Sequence, residues 1–345
     1  MSRTLFLVHG MGVSGENASA WSAPWEAALR KLMAHYKSRA GITFPDDLIL
    51  APITYGDALD QWRDRWNKAA GDIEKQLGDN GISAPKGLDS ALAALKKAGK
   101  GQFFWTHWMQ VILFRFSLIA RTEVLARVTS QLQTQITEAR AKDPFATFHV
   151  LAHSLGTAVI QQTLQRMADP KVPPAEGGFA GLFTISSLFM VANVSRTLSD
   201  PPDDVYSSLA SPQALGVPPD RCVQKYVDVR HHLDPIPQVI PFEPKWALGN
   251  LDFDPVEFSE FYDLKDFPSV VHNMLHYLKS PALHQRLLSS VFTQAIPTGT
   301  PIPYPAVLDS AKIDGWTSDL DVLRKSFPPT PSILDFLKSG TLLKP

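Results

Sequence analysis

A chain of 345 residues that is 44% hydrophobic and 19% charged has the composition of an ordinary globular protein, with enough apolar side chains for a large core. Its formal net charge of -1 provides no field for steering nucleic acid or an anionic membrane surface, so any partner must be recognised at a local site. The lone cysteine, Cys222, excludes an internal disulfide framework and cysteine-rich zinc sites, and is compatible with a reducing compartment.

The first predicted element is a strand over residues 4–9. Its apolar run, Leu5 to Val8, is shorter than the roughly 7 to 15 residues of a secretory h-region, so a cytoplasmic location is expected. Gly10-Met11-Gly12-Val13-Ser14-Gly15 then has the spacing of a dinucleotide-binding turn. In such a turn the helix begins inside the glycine motif, because its N-terminal amides face the pyrophosphate. Here the helix signals come later: Ser22 as cap, Pro24 in the first turn, and a periodic apolar face of Trp25, Leu29, Leu32, Met33 and Tyr36. The next strand, residues 48–55, closes as Ile53-Thr54-Tyr55 without an acidic residue for a ribose, so no nucleotide cofactor is expected. The same loop also reads as a strand followed by His-Gly-x-Gly, which leaves backbone amides at the strand's carboxyl end to face an oxyanion.

Residues 57–121 read as a helical excursion, broken at 78–87 and 99–101, that ends in the apolar stretch 103–120. In it His107, Gln110, Ser117 and Arg121 form a narrow polar stripe, and Trp105, Trp108, Met109, Ile112, Leu113 and Phe116 cover the rest. With His107 and Arg115 inside about the minimum spanning length, it makes a poor transmembrane segment. Two readings stay open: a helix buried on the sheet, or a lid over an acyl pocket. Val124, Leu125, Val128, Leu132 and Ile136 mark the next helix.

Residues 147–152 form a predicted strand, Ser154 lies at a turn, and a helix runs over 155–167. A strand that reverses tightly into a helix at a serine needs small residues two positions to either side, and Ala152 and Gly156 are small. The plain alternative is a serine capping an ordinary helix. Further strands are predicted at 181–188 and 225–231. Alternating strands and helices of this kind form a parallel sheet with covered faces.

A nucleophilic serine requires a base and an acid that orients it, the acid coming first in the chain on this kind of fold. Asp234 in "HHLDPIPQVIP" supplies the acid, in a loop held extended by Pro235 and Pro237. Asp228 is its rival, but from mid-strand it would point into the packing layers. His272 in "FPSVVHNMLHYL" is the expected base, with His276 one turn further as the alternative. Their H-x-x-x-H spacing lacks the adjacent glutamate of a metalloprotease helix, so no metal is expected. His9 and His153 are read as structural; His231 and His232 could ligate a metal with Asp234, but adjacent side chains on an extended segment diverge, so a loop role is expected for them. After residue 296 the chain is proline-rich, ending in a predicted short helix between Ser332 and Gly340.

Together, His9-Gly10-Met11-Gly12, the turn Ala152-His153-Ser154-Leu155-Gly156, Asp234 in its D-P-I-P turn and His272 resemble the α/β-hydrolase superfamily, most nearly its lipase-like serine esterases. The departure is Ala152, where the G-x-S-x-G turn has glycine. The resemblance covers about residues 4–278. It implies one α/β-hydrolase domain over 1–345, with a mostly parallel sheet starting at the family's third strand and helices on both faces. Residues 57–121 become a helical, lid-like insertion and 296–345 a proline-rich extension. It further implies Ser154 as nucleophile, His272 as proton shuttle, Asp234 as its orienting acid, and the Met11 and Leu155 amides as oxyanion donors. The substrate would be a small-molecule or lipid ester, with no cofactor, no metal and no nucleic acid; the lid reading adds transient contact with a membrane or micelle surface. The competing class is a non-catalytic protein that uses the same fold to bind partners. Acyl length, head group, ester against thioester or amide, and oligomeric state have no sequence signal.

Overall fold

Apolar runs too short for helices pair edge to edge as strands, the four central ones buried on both faces. The computed structural model describes residues 2–10, 18–62, 64–65, 68, 72, 110–111, 113–169, 172–173, 176–179, 182–199, 222–232, 234, 236–237, 241–242, 252–259 and 272–296. Strands β1 (Arg3–Val8), β2 (Leu48–Ile53), β3 (Thr147–His153), β4 (Ile185–Val191), β5 (Val223–His231) and β6 (Asp252–Phe258) form an all-parallel sheet in the order β2-β1-β3-β4-β5-β6. Helices α1 (Ala18–Ala40), α2 (Leu118–Lys142), α3 (Leu155–Ala168), α4 (Met274–Lys279) and α5 (Pro281–Phe292) flank it, and residues 56–62 and 113–116 are helical as well.

Side chains alternate across each strand and so build two cores. Phe6, Val8, Val150 and Met190 face one layer with Val124, Val128 and Leu132 of α2 and Val159 and Leu164 of α3. Leu5, Leu7, Leu151, Phe189 and Val229 face the other, with Leu29, Leu32 and Tyr36 of α1 and residues of α4 and α5. This distribution follows from the hand of the crossovers. The chain moves from β1 outward to β2 through α1, then reverses past β1 to β3 through α2, and right-handed connections running in opposite directions lay their helices on opposite faces. The direction reverses between β1 and β3, and in open α/β sheets it is beyond the carboxyl ends of two such strands that ligands bind.

Several boundaries differ from the sequence reading. The fourth strand is Ile185–Val191 instead of 181–188, because Leu182 lies outside the sheet and half exposed. Strand β6 was not predicted: only Val256 and Phe258 are buried along "DFDPVEF", and Pro255, which cannot donate to a ladder, sits there as the sheet's edge permits. Helix α1 begins at Ala18, so Pro24 is interior and Ser22 is no cap, its hydroxyl donating to Glu26 instead. The added turn brings Trp21 into contact with Trp25 and His9, burial that offsets the hydrogen bond lost at Pro24.

The apolar stretch 103–120 is not one helix to its end. Ser117 leaves the helical conformation and caps α2, accepting from the Ala120 N–H. Before it, Val111, Leu113 and Phe114 are buried in the same cluster as Tyr55, Ala58 and Leu59, and buried Gln110 donates to Asp60. Trp105, Trp108, Met109 and Ile112 lie outside the described residues, as do most of 57–121 and the extension after 296. Among the described residues no helix is long and apolar enough to cross a membrane.

Candidate active site

One residue, Ser154, joins β3 to α3. Its φ of 52° and ψ of -126° lie in a region that residues other than glycine rarely adopt, so the turn is strained and its surroundings must hold it. The Ser154 N–H donates to the Val191 carbonyl at the end of β4 (3.0 Å), and the Ser154 carbonyl accepts from the Thr157 N–H and from Thr157 Oγ1 (2.6 Å). Thr157 Oγ1 in turn accepts from the Val194 N–H (3.0 Å), tying the turn to the chain beyond β4. The Ser154 side chain makes no capping bond to α3, which sets aside the plain helix-cap reading.

That hydroxyl meets an imidazole instead. His272 Nε2 lies 2.9 Å from Ser154 Oγ, and His272 Nδ1 lies 2.8 Å from Asp234 Oδ2. A carboxylate only accepts, so Nδ1 carries the ring proton and Nε2 is left to accept from the serine. Asp234 is fully buried where the chain turns after β5, its N–H donating to the His231 carbonyl. Its Oδ1 accepts from the Ile236 N–H (3.1 Å), and its Oδ2 also accepts from the Tyr277 hydroxyl (2.7 Å). His272 lies just before α4, which Asn273 opens by accepting from the Leu275 N–H. Its backbone carbonyl accepts from His153 Nε2 (2.8 Å), fixing the histidine segment to the serine turn.

On the far side of Ser154 stands the end of β1. Parallel register places Val8 opposite Ala152, so His9 and Gly10 emerge beside His153 and Ser154. A methyl group at Gly10 would lie 2.8 Å from Ser154 Cβ, an approach only glycine allows. Tyr55, just past β2, donates from its hydroxyl to the His9 carbonyl (2.6 Å) and stacks its ring on that of His9 at 4.4 Å. His9 Nδ1 donates to the Gly10 carbonyl, and burial lowers the His9 pKa from 6.5 to about 4, so the ring is uncharged near neutral pH. Burial above all, with the neighbouring His272 ring opposing a second positive charge, likewise holds His153 well below 6.5.

Ser154, Asp234 and His272 are thus brought together, and Leu155 follows Ser154 as the first residue of α3, where an amide N–H has no partner within the helix. Met11 lies outside the described residues. His276 is turned away, buried against His231 and Phe258. Asp228 accepts from Asn193 Nδ2 (2.8 Å) within the sheet's packing layer, and burial lifts its carboxyl to about 7. Sequence reasoning missed Tyr55 and Tyr277. Tyr55 was read as the end of a strand that in fact stops at Ile53, and Tyr277 as part of a helix, yet the role of each depends on its hydroxyl meeting a group distant in the chain. Among the described residues no group of three or more His, Cys, Asp or Glu side chains could hold a metal ion. No protein-family model matches the chain, and no curated protein shows significant similarity to it.

Proposed function

We propose that the protein is a serine hydrolase of carboxylic esters, built on the α/β-hydrolase plan. The observation that carries this reading is the hydrogen-bonded series Ser154 Oγ, His272 Nε2, His272 Nδ1, Asp234 Oδ2, with the serine on a strained strand-to-helix turn. Its position beyond the carboxyl ends of β1 and β3, at the reversal of strand order, supports it.

In this mechanism Ser154 Oγ attacks the ester carbonyl carbon as its proton passes to His272 Nε2. The oxyanion that forms is held by the Leu155 N–H and by an amide of the loop after Gly10, for which we retain Met11. Collapse of the tetrahedral intermediate breaks the bond to the alkoxy group, which leaves with the proton from His272. Water, deprotonated by the same nitrogen, then attacks the acyl-enzyme carbonyl; collapse of this second tetrahedral intermediate breaks the bond to Ser154 Oγ, which takes the proton back from His272 Nε2 as the acid leaves. Asp234 keeps the imidazole in the required tautomer and stabilises its cation.

We assign the acyl group to the apolar, lipid-like class on the aromatic composition of residues 103–116. Ser154→Ala is expected to abolish hydrolysis of p-nitrophenyl esters, a loss on the order of a millionfold in rate, and to abolish labelling by a fluorophosphonate. Unchanged turnover in the purified variant would refute the assignment. In a chain-length series, rates should rise with acyl length and at micelle surfaces; a steady decline would leave a small-ester hydrolase.

A further inference from the structure

Resting on the hydrolase reading, we infer that Tyr277 is a positioning residue that fixes the orientation of Asp234 and shares its Oδ2 with His272. Its hydroxyl has one donor role and one acceptor role, and both are filled unambiguously. The His231 N–H donates to Tyr277 Oη (3.1 Å), so the phenolic proton is directed to Asp234 Oδ2, 2.7 Å away. That oxygen is the one that also accepts from His272 Nδ1. A single short segment, His272 leading into α4 and Tyr277 one turn inside it, therefore places two donors on one carboxylate oxygen. With the Ile236 N–H on Oδ1, three donors surround a carboxylate that has no exposure to solvent.

This arrangement has two consequences. The carboxyl plane is anchored at both oxygens independently of His272, so it stays in place when the imidazole takes and gives up its proton. The second donor on Oδ2 also disperses negative charge away from the imidazole, which weakens the pull of Asp234 on the His272 cation. Tyr277 touches neither the serine nor the bound ester in this scheme, and it is fully buried. Its contribution belongs in turnover and in proton affinity, with substrate binding left unaltered.

The test is Tyr277→Phe, which keeps the ring and removes the hydroxyl. With enzyme concentration set by fluorophosphonate titration of active sites, kcat for p-nitrophenyl butyrate should fall about tenfold while KM stays within about twofold. The acid limb of the pH profile should move to higher pH by about half a unit, and NMR titration of the His272 ring should move in the same direction. In an Asp234→Asn background, adding Tyr277→Phe should produce no further shift. An unmoved His272 titration in Tyr277→Phe overturns the inference, as does a loss that repeats in full in the Asp234→Asn background. Fewer titratable sites with an unchanged pH profile would mark a merely structural role and also overturn it. The ring titration needs no turnover, so an inactive wild-type protein, or an active Ser154→Ala variant, would defeat the hydrolase reading alone.

Discussion

A methyl group at position 156 would sit 2.3 Å from the His9 carbonyl oxygen and 2.7 Å from that of Val8. Neither neighbour is the tip of a flexible side chain, so β1 or α3 must move. Gly156→Ala is therefore expected to destabilise the protein by about 1–3 kcal/mol, read as a lower urea midpoint, and to lower the proposed esterase activity by displacing the residues beside Ser154. An unchanged midpoint would mean that the β1–α3 contact is looser than described. The need for a small residue at 156 was legible from the serine turn, but its cause was not, because the crowding atoms belong to a strand nearly 150 positions earlier. At Ala152 the departure from glycine is accommodated, since its methyl group joins the core beneath α3. His272 could be favoured over His276 from the chain, whereas Tyr277 could not be singled out from other buried aromatics.

Helices were legible where apolar spacing was regular, as in α2, whose Val124, Leu125, Val128, Leu132 and Ile136 are all buried. They were misread where a polar atom decided the boundary. Ser117 counted as one more member of a polar stripe, yet it separates two helices, its side chain accepting the Ala120 N–H. Ser117→Ala is expected to cost about 1 kcal/mol in thermal or urea unfolding, while Ser117→Asp should retain the cap. Equal stability of all three proteins would place the break elsewhere. Strand β6 escaped because edge strands bury little, and Asp252, Asp254 and Glu257 obscure the alternation carried by Val256 and Phe258. The start of α1 escaped because Pro24 signals a first turn locally, while Trp21 finds its partners only in the folded protein.

Across the whole molecule, burial of histidines couples folding to pH. His9, His149 and His284 are pushed from 6.5 to about 4, and His153 is held well below 6.5, each chiefly by desolvation. Between about 4 and 6.5 these rings are neutral when folded and protonated when unfolded, so unfolding takes up protons and stability falls as pH falls through that window. Asp228 acts oppositely: with its carboxyl raised from 3.8 to about 7, it stays protonated in the folded state and contributes stability that is lost as pH rises between those values. Each group contributes about 1.4 kcal/mol per pH unit inside its window, and the histidines outnumber the carboxyl, so the net slope follows them. Urea midpoints should therefore drop between pH 6.5 and 5, and His284→Gln should flatten that slope by about one proton. A flat or inverted dependence would contradict the buried neutral histidines. By itself the sequence determined the alternation of strand and helix and the tight turn at Ser154, because these rest on local periodicity and on residue types at fixed short spacing, and it singled out Asp234 and His272 by residue type and chain order, the two residues that the fold brings to Ser154. Only the tertiary structure decided the strand order, the strand-to-strand register that sets Gly10 against Ser154, and the hydroxyls of Tyr55 and Tyr277 that secure the site, because each is a contact between distant segments that exists only once both cores have formed.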